Sequence, residues 1–179
     1  MGWSLSYLPE KEPELLDRFF LSLGKALYLS SEFEKKCQFV LRIAKLEDRI
    51  RTMPENLEDF TAFAKAIRDP LLGPAFREMR GLPTDFRDQD IAVLERGRLA
   101  RNYIAHEASL PGGLWHISAD EIEKHVDSLR VQVILLATAD NLVSAWAYQI
   151  EEREPFLPGI HRDYERRVLR WVFGDEAGD

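Results

Sequence analysis

Apolar side chains recur at intervals of three and four residues along nearly the whole chain, and this spacing limits the possible folds more than any other feature. Leu16, Phe19 and Leu23 show it near the N-terminus, and Val133 and Leu136 repeat it later. No segment has the alternation of apolar and polar residues, bounded by turn dipeptides, that is typical of a hairpin. The sequence therefore predicts an all-α protein, an antiparallel helical bundle built on two long helices with shorter helices flanking them.

Prolines, glycines and capping residues divide this pattern into separate helices. Ser31 with Glu34, and Ser118 with Glu121, have the spacing of capping boxes, in which hydroxyl and carboxylate each bind a free amide at a helix start. The predicted helices are Pro9 or Glu10 to Leu29, Ser31 to about Arg51, Leu57–Arg68 after an Asn56 N-cap, Leu71–Arg80 with an interruption near Gly73 and Pro74, Thr84 or Asp85 to His106 or Ala108, Ser118 to about Arg153, and His161 to Phe173.

The size of the chain indicates one main domain. Its 179 residues, 45% of them hydrophobic, are enough to bury a sizeable core. Pro155 and Pro158 separate the last segment from the rest. We therefore expect a helical bundle domain over residues 1–154, and a C-terminal helical extension over 155–179 that packs on the bundle or on a second subunit.

The charge balance restricts how this protein can contact nucleic acid. The net charge is -7 and the sequence pI is about 5.2, whereas most dedicated nucleic-acid binders have a basic excess that neutralises phosphates. Any contact with RNA must therefore use a local basic site, or a site built across two subunits.

Cysteine content and hydropathy favour a cytoplasmic protein. Cys37 is the only cysteine, which excludes an intramolecular disulfide and a cysteine-based zinc site. The N-terminus lacks a basic region followed by an apolar run, so no secretory signal is predicted. The apolar stretch Val131–Ile150 is nearly long enough to span a bilayer, but Asp140 and other polar residues interrupt it. We interpret it as a buried helix and expect no membrane partner.

The segment Glu95–Glu107 contains the one constellation with catalytic chemistry. Helical spacing places Arg98, Asn102 and His106 on one face as a polar stripe, and Arg101 lies beside it. A histidine near a helix C-terminus exchanges protons near neutral pH, and a guanidinium group suits phosphate oxygens.

RNA cleavage by its own 2′-hydroxyl requires these groups. A base takes the 2′ proton, an acid protonates the leaving 5′ oxygen, and a cation stabilises the charge on the phosphorane. Neither a metal cluster nor a cofactor motif is visible in the sequence, so the predicted chemistry is metal-independent and uses no cofactor.

Arg101, Asn102, His106 and Glu107 form an Arg-x4-His pattern with Asn directly after the Arg and Glu after the His. This pattern resembles the signature of the HEPN superfamily. The resemblance implies a helical bundle that dimerises, with a metal-independent endoribonuclease site formed from the Arg and His of two subunits. It also implies that Arg101 contacts the scissile phosphate, that His106 is the general acid or base, and that Asn102 orients or supports them.

The same resemblance implies further partners and a biological setting. Family members act in toxin–antitoxin, abortive-infection and antiviral systems, so an antitoxin or regulatory protein is a possible partner beside the RNA substrate. Arg98, Tyr103 and His116 are the candidate substrate-binding residues. A subgroup that is modified on a Tyr two residues after the His has a different residue here, Ala108, so control by that modification is not expected.

Alternative interpretations remain open at this stage. HEPN-like bundles also serve as non-catalytic modules that bind a protein or RNA partner. In a purely structural interpretation, Arg101 pairs with a nearby acid such as Glu107 and His106 caps the helix. The segment Arg162–Trp171 fits either a nucleic-acid surface or a helix that docks on the bundle.

Overall fold

The computed structural model describes residues 13–52, 57–67, 71–81, 87–108, 118–153 and 162–174. All the regular structure in these ranges is helical, which confirms the all-α prediction for them. The helices are α1 Pro13–Thr52, α2 Leu57–Ala66, α3 Leu72–Gly81, α4 Asp88–His106, α5 Ala119–Glu152 and α6 Tyr164–Phe173.

The first helix differs most from the prediction. α1 is a single helix of 40 residues, so the predicted break after Leu29 and the capping box of Ser31 with Glu34 are both wrong. Buried Leu29 and Phe33 continue the apolar stripe through the expected break. Ser30 Oγ donates to the Ala26 carbonyl at 2.9 Å, which keeps its hydroxyl inside the helix. Packing against the core therefore outweighs the local capping signal.

The other helix boundaries lie close to those predicted. Ser118 caps α5 as expected, because its Oγ accepts from the Glu121 amide at 3.3 Å and its own amide donates to Glu121 Oε2 at 2.8 Å. α3 is not interrupted, since Pro74 lies in its first turn, where a helix needs no backbone N–H. The predicted Asn56 cap falls outside the described residues. The predicted start of α4 at Thr84 or Asp85 is wrong, because Arg87 is extended and the helix begins at Asp88.

The two longest helices, α1 and α5, run parallel. Phe19 of α1 contacts His125 of α5 with 6.4 Å between ring centroids. Further along both helices, Lys36 pairs with Asp140. Because the contacts advance together along the two sequences, this pair does not have the antiparallel arrangement expected for the bundle.

The shorter helices α4 and α6 run antiparallel to α5. Gly97 of α4 lies against Ala139, and the short connection from His106 to Ala119 requires α4 to return along α5. α6 follows the same direction as α4, since its first residue, Tyr164, contacts Asp140. At its other end, Phe173 lies under the Arg130 guanidinium. The C-terminal ends of α4 and α6 therefore point toward the same end of the bundle.

Gly97 sets the distance between α4 and the two long helices. A Cβ at this position would lie 2.3 Å from the Ala139 Cβ and 3.1 Å from Cζ of Phe33. Any side chain here would overlap α5 unless the helices moved apart. The glycine therefore allows α4 to pack directly on α5 beside α1.

The apolar helix α5 packs against α1, α4 and α6. It is the only described helix that is long and apolar enough to cross a membrane, with a mean hydropathy of 1.2 over its 18-residue window, 39% of which is buried. Its Asp140 is fully buried and pairs with Lys36 of α1. These contacts fit the interpretation of α5 as a helix of the bundle core.

Candidate functional site

Helix α4 carries the Arg-x4-His pattern on the part of its surface that the bundle leaves open. Its buried face contains Ile91, Leu94, Ala100 and Ile104. Leu99 of the same helix is 58% exposed. Five positions along a helix turn a side chain by about 140°, so a residue five after Leu94 leaves the buried face.

Arg101 is held between α4 and α1. Its Nη2 donates to Glu34 Oε2 at 2.5 Å, and its Nη1 donates to Asn102 Oδ1 at 3.2 Å. The Arg101 side chain is 26% exposed and that of Glu34 is 20% exposed. The acid that pairs with Arg101 is therefore Glu34 rather than Glu107. Since Glu34 is 67 positions away in the sequence, no local pattern indicated this pair.

His106 is the last residue of α4, and it is exposed. Its side chain makes no hydrogen bond or ion pair with another described residue. The backbone amides of Glu107 and Ala108 both donate to the Tyr103 carbonyl, which closes the helix without the imidazole. His106 is thus an accessible proton-exchanging group rather than the cap of its helix.

Within one chain, Arg101 and His106 point in different directions. They are five positions apart, which corresponds to about 140° around the helix axis. Arg101 reaches toward α1, whereas His106 lies at the exposed end of α4. Arg101 and His106 of one chain are therefore not placed side by side on one face of α4.

The candidate substrate-binding residues have different surroundings. Arg98 donates from Nε to Glu95 Oε2 at 2.7 Å, and its Cδ lies 4.0 Å from the position of a Cβ built on Gly73 of α3. Tyr103 is partly buried and packs against the core. His116 lies outside the described residues, so its position relative to His106 stays a prediction.

Carboxylates that the sequence did not indicate balance the positive charges of the site. Glu34 and Glu95, which were not among the candidate residues, neutralise Arg101 and Arg98. The described part of the chain has no group of three or more His, Cys, Asp or Glu side chains placed to hold a metal ion. The groups available for chemistry at this end of α4 are thus an oriented guanidinium, an amide and an exposed imidazole.

A second polar cluster joins α1, α5 and α6. Lys36 Nζ donates to both carboxylate oxygens of Asp140 at 2.9 Å and to Ser144 Oγ at 2.9 Å. The Tyr164 hydroxyl donates to Asp140 from the other side. Burial and the neighbouring carboxylate raise the pKa of Tyr164, so its hydroxyl stays protonated as a donor. Every group in this cluster has a partner within it.

The cluster lies beside an open cavity of about 510 Å³, whose lining includes Phe39 and Tyr148 in addition to Lys36, Ser144 and Tyr164. One feature of the sequence indicated this arrangement, because an Asp inside an apolar helix requires a partner. It did not indicate that the partners would be Lys36 and Tyr164, which are distant in the chain.

Comparison of the chain with family models, with curated proteins and with solved structures finds no match. No relative therefore suggests a ligand or a reaction. The features on which a function can be based are the orientation of Arg101 by Glu34 and Asn102, and the exposure of His106 at the end of α4.

Proposed function

We propose that the protein is a metal-independent endoribonuclease of the HEPN type, with an active site formed between two copies of the chain. The observation that most supports this is the difference in surroundings between two side chains of α4. Arg101 is partly buried and fixed by two hydrogen bonds. His106 is exposed and unbonded to the described residues, so it is accessible for proton transfer.

In the proposed reaction, the 2′-hydroxyl of RNA attacks the adjacent phosphate and the bond to the 5′ oxygen breaks. One His106 accepts the 2′ proton, and a protonated imidazole returns a proton to the leaving oxygen. Arg101 stabilises the additional negative charge on the phosphorane. The products are a 2′,3′-cyclic phosphate and a 5′-hydroxyl, with no water, metal or redox partner consumed.

The geometry of α4 supports the two-copy arrangement. Because Arg101 and His106 diverge on one helix, a two-fold axis near the end of α4 is the simplest way to place an imidazole of one chain opposite a guanidinium of the other. Leu99 is 58% exposed on this helix, and Tyr103 lies one turn further along. Their apolar surface supports contact with a second copy.

Dimerisation also addresses the acidic composition of the chain. With a net charge of -7, one subunit has little long-range attraction for RNA. Two copies bring two Arg101 side chains into one cleft, and Arg98, Tyr103 and His116 are the proposed contacts to the RNA around it. By the HEPN resemblance, the protein acts in the cytoplasm as a toxin or phage-defence component under the control of an antitoxin or regulatory protein.

The test is cleavage of mixed RNA by the purified protein in EDTA, with end-group analysis of the fragments. The expected result is cyclic phosphate ends from the natural protein and a loss of at least about 100-fold in rate for His106→Ala. Arg96→Ala, on the exposed face of the same helix, is the matched control and keeps the natural rate. Circular dichroism and the mass in solution remain unchanged in both variants. Equal cleavage by His106→Ala, or cleavage that requires a divalent cation, contradicts the proposal.

A second candidate function is a non-catalytic module that binds a partner. The observation that favours it is the 2.5 Å ion pair with Glu34, which already neutralises Arg101 within one chain. This candidate predicts that several RNA substrates stay intact with the purified dimer, both in EDTA and with added cations. It also predicts that Glu34→Gln does not produce cleavage.

A further inference from the structure

The two faces of α6 differ in composition. Val168 and Val172 are buried, and Tyr164, Leu169 and Phe173 pack against the core. Two hydrogen bonds from α1 fix the C-terminal end, since Ser22 Oγ donates to the Val172 carbonyl at 3.0 Å and Lys25 Nζ to the Trp171 carbonyl at 2.7 Å. The apolar face thus explains the docking of α6 on the bundle, and it leaves the basic residues unexplained.

The outer face of α6 carries positive charge. Residues 162–174 contain four arginines against one aspartate and one glutamate. Arg162, Arg166 and Arg167 are exposed. Of the two acids, Asp163 pairs with Arg166 at 2.7 Å, and Glu165 accepts a hydrogen bond from Thr138 of α5. With four arginines and two acids, residues 162–174 carry a net charge of +2, whereas the whole chain has a net charge of -7.

Two exposed aromatic rings lie beside this basic face. Trp171 is 46% exposed and Tyr28 of α1 is 60% exposed. Their ring centroids are 6.1 Å apart with an interplanar angle of 67°. Lys25 Nζ lies 5.8 Å from the centroid of the Trp171 ring. Large aromatic side chains exposed together beside cations are typical of a binding surface rather than of a solvated helix face.

We infer that this surface, formed by Arg167, Trp171, Tyr28 and Lys25 and called the α6 surface below, binds single-stranded RNA. This inference rests on the proposed function, since it assigns the surface to the same substrate. Arg167, one helical turn from Trp171, and Lys25 bind phosphates, and the rings of Trp171 and Tyr28 stack on unpaired bases. Both α4 and α6 run antiparallel to α5, so Trp171 and His106 lie toward the same end of the bundle, on different sides of α1.

The aromatic pair favours RNA over an acidic protein segment as the ligand. An acidic segment needs only the cations, because its carboxylates do not stack on rings. Unpaired bases use both components, and stacking on an aromatic side chain is tolerant of sequence. The expected ligand is therefore a short single strand without strong sequence preference, and duplex RNA, whose bases are already stacked, should bind less well.

The test uses the full-length His106→Ala protein and a fluorescein-labelled 12-nucleotide oligouridylate in EDTA, followed by fluorescence anisotropy. Trp171→Ala should weaken binding about 10-fold, and Trp171→Phe, which keeps a ring, should retain most of the affinity. Arg167→Gln should weaken binding and reduce the slope of log K against log salt by about 0.7, which corresponds to one lost phosphate contact.

Arg42→Gln is the matched control, because Arg42 is an exposed arginine on α1 far along the chain from Lys25 and Tyr28. It should change neither the affinity nor the salt slope. Thermal unfolding of each variant verifies that α6 remains docked. Unchanged affinity in the folded Trp171→Ala and Arg167→Gln variants overturns the inference. Binding of poly-L-glutamate with equal strength and no dependence on Trp171 assigns the surface to an acidic protein instead, and also overturns it.

The two proposals fail in different ways. If the natural protein cleaves RNA, and the α6-surface variants cleave and bind RNA equally well, the inference about the α6 surface is wrong and the nuclease proposal stands. RNA binding that depends on Trp171, with no cleavage by the natural protein in any condition, removes the nuclease and leaves an RNA-binding surface. Cleavage with a raised KM and an unchanged kcat in Trp171→Ala is the result expected when both hold.

Discussion

Helix α1 supplies one charged partner to each of the two polar regions, and the two ion pairs differ in burial. Glu34 pairs with Arg101 of α4, and Lys36, two positions later, pairs with Asp140 of α5. Two positions correspond to about 200° around a helix, so the pairs lie on nearly opposite sides of α1. The difference lies in the carboxylates: Asp140 is 0% exposed beside a Lys36 that is 32% exposed, whereas the side chains of Glu34 and Arg101 retain 20% and 26% exposure.

This difference separates a structural pair from one that can take part in binding. Removing the cation from a buried carboxylate leaves an uncompensated charge in a low-dielectric interior, which is costly. Opening a partly exposed pair costs far less, because water solvates both groups. The Lys36–Asp140 pair therefore holds α1, α5 and α6 together, whereas Arg101, oriented by Glu34, keeps exposed surface from which its guanidinium can contact a phosphate.

The largest expected effect is that of Lys36→Met. It should lower the free energy of unfolding by about 3 kcal/mol, since Asp140 stays buried without its cation. Urea denaturation followed by circular dichroism measures the change. The double variant Lys36→Met with Asp140→Leu should recover most of the loss. A loss below about 1 kcal/mol in the single variant would show that the buried pair is not structural.

Tyr164→Phe should have the next largest effect. It removes the hydroxyl that donates to Asp140, and a lost hydrogen bond to a buried charged group costs about 1.5–3 kcal/mol. Hydrogen exchange of α6 amides should increase in this variant, while α4 amides keep their protection. Equal loss of protection in α4 and α6 would mean that the cluster does not act locally on α6.

Alkaline pH should weaken the same contact in the natural protein. The folded-state pKa of Tyr164 is raised by burial and by Asp140, so the folded state favours the neutral phenol. The stabilisation is complete below the unfolded pKa of about 10 and is lost as the pH rises above it. Unfolding curves between pH 8 and 11 should therefore fall more steeply for the natural protein than for Tyr164→Phe. Parallel curves would exclude this contribution.

Glu34→Gln should have the smallest effect on stability, at most about 1 kcal/mol, because its ion pair with Arg101 is partly exposed. Cleavage, by contrast, should fall about 10-fold, because the guanidinium loses the carboxylate that orients it. The measurement compares urea unfolding with RNA cleavage in EDTA, and Glu32→Gln, a neighbouring acid that pairs with Lys35, is the control. A stability loss as large as that of Lys36→Met would remove the distinction between the two pairs.

Local signals in the sequence predicted the helices well where no long-range contact competed with them. Ser118 and Glu121 form the expected capping box because α5 begins at that point. Ser31 and Glu34, which have the same spacing, do not form a capping box. The apolar stripe of α1 continues past them, and Glu34 pairs with Arg101 of α4 instead. Periodicity describes one helix at a time and does not report which neighbour a side chain meets.

The sequence predicted which residues form the candidate site, but it did not predict the residues that pair with them. The helical position of His106 and the placement of Asn102 beside Arg101 follow from spacing alone. The pairing of Arg101 with Glu34 depends on how α1 and α4 cross, and that crossing depends on Gly97 and Phe33. The exposure of Leu99 follows from the same crossing, because packing decides which part of α4 is left open.

The close approach at Gly97 makes the His106 end of α4 sensitive to a residue buried between helices. His106 is nine residues further on, about 14 Å along the axis. A methyl group at Gly97 would force α4 to shift or to rotate away from Ala139, and a rotation of the helix changes the direction of every side chain it carries. In the proposed two-copy site, symmetry would apply that misalignment twice, so a change at one buried glycine would act on both halves of the site.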